Sequence, residues 1–198
     1  MNADLLENYV KGSIIGLMVG DALGFPYSDW EQIPTEPEMI EGPAAEPPGC
    51  YQAPSALALC TMANINEFGG INHHDLIEKF HDFLIAGYMA PYGDVDECSD
   101  ISEATVEAIK KFTTGMPPDR SGSRDADNEC LTRMLPIGLW YSTESVDALI
   151  KAAHQSCIIT HGTVECQVAC AAYCMLVRNM LLQKSEKVFE FLADFYKT

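Results

Sequence analysis

The sequence predicts an all-α domain, and three observations carry that prediction. Apolar residues recur at helical spacing, as at 76, 77, 80, 83 and 84. Polar cap residues precede such runs and glycines follow them. No stretch alternates Val or Ile with polar residues in the way a half-buried strand does. With 198 residues and 47% apolar composition, the chain has material for one sizeable core. It is read as a single domain over residues 1–198, with at least seven helices packed around the Ala/Cys-rich segment 162–182.

The first element is a helix over 4–24, "DLLENYVKGSIIGLMVGDALG", small and apolar in its second half. Residues 26–50 carry prolines at 34, 37, 43, 47 and 48 beyond Pro26, which excludes a long helix and marks an acidic loop. Pro54 then opens a second helix that ends before Gly69 and Gly70. The stretch 72–88 opens on Asn72 as a cap, and 100–115 opens on Asp or Ser caps and closes on Gly115. After a polar loop at 116–127, "NECLTRMLPIGLWY" reads as one buried helix with Pro136 inside it. The next helix is expected to be capped by Ser142 or Thr143. Segments 162–183 and 185–198 complete the chain.

The net charge of −17 excludes ordinary nucleic-acid binding, because phosphate contacts need Lys and Arg. It suits solubility and a basic protein partner. No run approaches the roughly 18 apolar residues of a membrane span. The N-terminus lacks a basic stretch ahead of an apolar one, so no export signal is expected. A cytoplasmic location follows as the expectation, with all eight cysteines as reduced thiols. Cys166, Cys170 and Cys174 share one helix face and read as small core residues. His73, His74, Asp75 and His81 read as polar groups near a helix start. Cys157 with His161 lacks any oxyanion-loop signature.

Four ordered segments resemble one family. They are "GLMVGDALGFP" (16–26), "YGDVDECSDISEATVEAIKKFTTG" (92–115), "DNECLTRMLPIGLWY" (127–141) and "SCIITHGTVECQVACAAY" (156–173). Together they are similar to the conserved blocks of the ADP-ribosylglycohydrolase family. The resemblance implies an orthogonally packed all-α fold. In active members it implies a two-magnesium site that cleaves ADP-ribose from its acceptor.

Magnesium takes hard oxygen ligands in near-octahedral geometry, and the family draws them from three places. The N-terminal signature continues to a glutamate, where this chain has Ser28, with Asp29 one residue late. The family loop W/Y-T-D-D-T-x-M-A-L appears here as Tyr51, Gln52, Ala53, Pro54, Ser55, Ala56, Leu57, Ala58 and Leu59. Ala53 and Pro54 stand where the family has aspartates. The D-x-D-T motif of the family's C-terminal third does not occur in these residues, so a C-terminally shortened domain is expected. In the family, glycines flank the counterpart of Asn128; here the flanks are Asp127 and Glu129. Carboxylates there are expected to repel a diphosphate by roughly 1–4 kcal/mol each.

The expectation is therefore a glycohydrolase-like protein without catalysis, metal or cofactor. It would act by binding a basic protein, as an inhibitor of anti-defence or immunity type. Two alternatives stay open: a hydrolase with an atypical site, and a nucleotide sensor that does not cleave. Ligand-binding candidates retained from the resemblance are Tyr92, Ser102, Asn128, Arg133 and His161. Their structural alternatives are an acid partner for Arg133 and a helix-start hydrogen bond for His161. Asp21 is expected to cap or brace the loop at 51–55. Partner-contact candidates are Asp29, Glu31, Glu36, Glu38, Glu41 and Glu46 in the Pro-rich loop, with Asp94, Asp96 and Glu97.

Overall fold

The computed structural model describes residues 3–32, 34–91, 100–184 and 187–197. Among them every regular element is helical: α1 (Ala3–Gly24), α2 (Ala53–Phe68), α3 (His73–Ala86), α4 (Glu103–Thr113), α5 (Pro118–Ser121), α6 (Glu129–Thr132), α7 (Leu135–Trp140), α8 (Val146–Ile158), α9 (Val164–Leu181) and α10 (Val188–Phe195). A single isolated bridge pairs Ser123 with His161. No described helix is long and apolar enough to cross a membrane.

Local chemistry accounts for most boundaries. The Asn72 side chain accepts hydrogen bonds from the His74 and Asp75 N–H groups, satisfying donors that α3 leaves free at its start. Ser102 does the same for Thr105, Ser145 for Ala148 and Thr163 for Cys166. Gly69 and Gly87 end α2 and α3 at φ 68° and 64°, a conformation that a Cβ disfavours.

Two boundaries differ from the sequence reading. The stretch 128–141 is two short helices. Pro136 sits in the first turn of α7, where its missing N–H has no intrahelical role. The cap of α8 is Ser145, because Tyr141–Thr143 form a 3-10 turn that runs on from α7.

The core has three parts. In the first, α9 packs against α6, α7, α8 and α10 through Met134, Ile137, Leu149, Ala153, Ala171 and Met175. Gly138 lets α7 approach α9: a Cβ there would lie 2.8 Å from the Val177 side chain. The second part joins α2, α3 and α4 through Leu57, Leu76, Ile77, Phe80, Phe83 and Ile109. In the third, Leu6, Val10 and Ile14 of α1 lie on Leu135, Leu139 and Leu181. The expectation of one core around 162–182 thus holds for the first part only. The α2/α3 pair buries its own apolar face.

Candidate functional site

The polar residues singled out by sequence gather at the starts of α2, α4 and α6 and in the turn before α9. Asp21, near the end of α1, reaches the start of α2. Its Oδ2 accepts the N–H groups of Gln52 and Ser55, both at 3.0 Å. It braces the loop, as expected. Negative charge is also favourable there, because unpaired N–H groups make a helix N-terminus positive. Gln52 and Ser55 are fully buried. Both polar atoms of the Gln52 amide and the Ser55 hydroxyl have no hydrogen-bond partner among the described residues.

Glu129 turns inward. Its carboxylate accepts Ser102 N–H at 2.6 Å and Ser102 Oγ–H at 2.9 Å, and it also accepts the Thr105 hydroxyl. Glu129 therefore caps α4 from 27 residues away, and Ser102 is the cap residue it holds. Asp127 is engaged as well. Its Oδ1 accepts Glu129 N–H at 2.9 Å and lies 2.7 Å from His161 Nε2. Burial pushes the Asp127 carboxyl up, but hydrogen bonds from Glu129 N–H and His161 outweigh it and hold the group below its ordinary value. The anticipated repulsion of a diphosphate assumed outward carboxylates; these are occupied by internal donors.

With Asp127 ionised, His161 Nε2 carries the proton. The other ring nitrogen then accepts from Thr160 Oγ1 at 2.9 Å, and Thr160 accepts from Arg133 Nη2 at 2.6 Å. A continuous series runs from Arg133 through Thr160 and His161 to Asp127. Arg133 and His161 are both fully buried. Arg133 also donates to the Ser156 hydroxyl and carbonyl, each at 2.9 Å, and its guanidinium lies 4.9 Å from the Phe80 ring centre. It has no carboxylate partner among the described residues, contrary to the acid pairing expected of it. Both side chains are held by internal partners in this arrangement.

Asn128 is exposed and makes no side-chain cap. Tyr92, Asp94, Asp96 and Glu97 lie outside the described residues. In the Pro-rich loop, Asp29, Glu31, Glu36, Glu38 and Glu41 are exposed. Glu46 is the correction: it is 5% exposed, and its Oε2 accepts Ala44 N–H at 2.9 Å inside a turn closed by Gly42. It braces the loop from within, so its carboxylate is not part of the exposed acidic surface. The loop is also pinned by Tyr27, whose hydroxyl donates to the Glu38 carbonyl and accepts its N–H.

A two-magnesium site does not fit these residues. Among the described residues, the α2 start offers an amide, a hydroxyl and two apolar residues, and the carboxylate that reaches it, Asp21, already serves two N–H groups. The roles of Glu129 and Glu46 were missed in the sequence. A Glu two residues after Asp127, just before a short apolar run, carries no local signal for a cap 27 residues upstream.

The all-helical domain matches the helical ADP-ribosylglycohydrolase fold. The chain belongs to the ADP-ribosylglycohydrolase family, which matches it over residues 1–198. A protein of Acanthamoeba polyphaga mimivirus, named as a candidate ADP-ribosyl glycohydrolase, is 23% identical over 184 residues. That match covers 82% of this chain and 52% of the relative. A solved chain described as an ADP-ribosylglycohydrolase-related protein complex is 26% identical with a TM-score of 0.72, covering 87% of this chain and 56% of that one. The chain thus spans about half the length of the relatives it matches.

Proposed function

We propose that this chain acts by binding, as a glycohydrolase-like protein without two-metal catalysis that contacts a basic protein through its acidic loop. One observation carries the reading. At the α2 start, Ala53 and Pro54 replace oxygen ligands, and the remaining Asp21 is a helix brace. The exposed carboxylates of Asp29, Glu31, Glu36, Glu38 and Glu41 on a pinned loop support the contact surface. A role as an inhibitor, of anti-defence or immunity type, suits a protein of this kind.

The experiment is calorimetry with magnesium or manganese, paired with turnover of peptides ADP-ribosylated on arginine or serine. Neither metal should bind tightly, and no ADP-ribose should be released. Turnover is the reading the mimivirus relative's name suggests. If it survives repurification and disappears in Asp21→Asn, the binding reading is wrong.

The unbonded Gln52 amide and Ser55 hydroxyl favour a second reading, a sensor that holds a nucleotide without cleaving it. Buried polar groups ordinarily have partners, and a ligand amide or hydroxyl would supply them. Titration with ADP-ribose separates the readings: saturable binding that Gln52→Leu abolishes selects the sensor.

A further inference from the structure

We propose that Cys130, Cys157 and Cys170 form a three-thiolate site for a thiophilic divalent cation of the zinc class. The three come from α6, α8 and α9, far apart in sequence, and their Sγ atoms all lie within 4.8 Å of one another. All three are buried, at 1%, 0% and 0% exposure. A zinc–sulfur bond of about 2.3 Å sets ligand sulfurs roughly 3.8–4.0 Å apart. The sulfur triangle is thus near the size that closes on an ion.

Core packing explains why a cysteine is buried. It does not explain why three sulfurs from three helices converge. Cys174, one turn along α9 from Cys170, is equally buried but lies outside the triangle, its thiol toward the Met134 carbonyl at 3.8 Å. Cys157 Sγ lies within the triangle and also donates to the His161 carbonyl at 3.4 Å, a proton that metal binding would displace.

Charge gives a second, independent reason. Arg133 follows Cys130 by three residues and is fully buried with no carboxylate partner among the described residues, its Nε unbonded. A lone buried cation is costly unless something nearby offsets it. Three thiolates and one divalent ion carry a net charge of −1, which this guanidinium neutralises. A monovalent ion would leave the site negative, so the divalent class is selected. Softness of the ligands excludes magnesium and calcium.

Thiols bind such an ion as thiolates, so metal binding must expel their protons. Cys130 sits on a four-residue helix that follows exposed Arg124, Asp125 and Ala126. Cys166, one turn before Cys170, lies outside this group, and its thiol donates to the Asp127 carbonyl at 3.5 Å.

The test uses the full chain, reduced with a non-thiol reductant and freed of metal. Cobalt(II) is the spectroscopic probe and zinc its competitor. One equivalent of cobalt should give a sulfur-to-metal charge-transfer band, which zinc abolishes, and binding should tighten as pH rises. Cys130→Ser, Cys157→Ala and Cys170→Ala should each weaken zinc by more than the roughly 10–100-fold that loss of an outer-shell partner costs. Cys174→Ala should leave binding unchanged. The wild-type spectrum and stoichiometry need no variant, so a misfolded mutant does not blunt the test. Absence of the band in fully reduced wild type overturns the proposal. So does binding that persists in folded forms of all three variants, or a disulfide within the triad in protein purified from the cytosol.

Discussion

Replacing Asp21 with alanine removes the oxygen that accepts two backbone donors at the α2 start. Gln52 and Ser55 are buried, so water does not readily take over. Loss of an N-cap costs about 0.5–2 kcal/mol, and hydrogen bonds to a charged acceptor are each worth about 1.5–3 kcal/mol. Asp21 is only partly buried, which places the sum near the lower end, at about 2–3 kcal/mol. For a domain of this size each kcal/mol moves Tm by about 2–4 °C, so Asp21→Ala should melt about 5–10 °C lower. Asp21→Asn keeps an oxygen in the same place without the charge and should recover about half of the loss. The assay is thermal unfolding by circular dichroism, repeated with magnesium at millimolar concentration. A ligand that binds only the folded state raises Tm, so magnesium should move none of the three proteins. Two results refute the reasoning. One is an unchanged Tm in Asp21→Ala. The other is a magnesium-dependent rise in wild type that both variants lack, which would make Asp21 a metal ligand instead of a brace.

Gly122→Ala should destabilise by about 3 kcal/mol, the upper end for overpacking, because its Cβ would meet the backbone Ile158 oxygen at 2.3 Å and Gly162 nitrogen at 2.8 Å. Gly20→Ala, inside α1 with nothing within 4 Å, should instead stabilise by about 0.5–1 kcal/mol; urea unfolding of both checks the contrast. Asp127 is held below its ordinary value of 3.8, so its stabilising contribution is present above that pH and is lost as pH falls through the lower folded value. The stability gap between wild type and Asp127→Asn should therefore be full at neutral pH and narrow below about pH 4, as measured by urea unfolding across pH. Reversing Glu36, Glu38 and Glu41 to lysine should slow association with a basic partner recovered by pull-down, and added salt should shrink the difference because screening acts beyond about 8 Å at physiological ionic strength. Glu46→Gln should lower Tm and leave that on-rate unchanged, since its carboxylate serves Ala44 N–H.

Helix ends were the most legible part of this protein. Asn72, Ser102, Gly69 and Gly87 act on donors and acceptors within four residues of themselves, so their roles can be read along the chain. The expected brace from Asp21 to the loop at 52–55 is there, and Ser102 meets the residue beside Asn128. Pro136 misled only about where a helix divides. What the sequence did not settle was the direction of each buried polar side chain. Glu46 and Glu129 looked like outward charge, yet both turn in to satisfy backbone donors. Arg133 looked like half of an ion pair, and it holds Ser156 and Thr160 instead. The cysteine spacing suggested 166, 170 and 174 as one set, because they share a helix face. The packing of α6 and α8 on α9 selects 130, 157 and 170. Helical periodicity tells which residues share a face of one helix. Which sulfurs or carboxylates meet across helices depends on how those helices cross, and contacts between residues 13 to 40 positions apart leave no local trace in the chain.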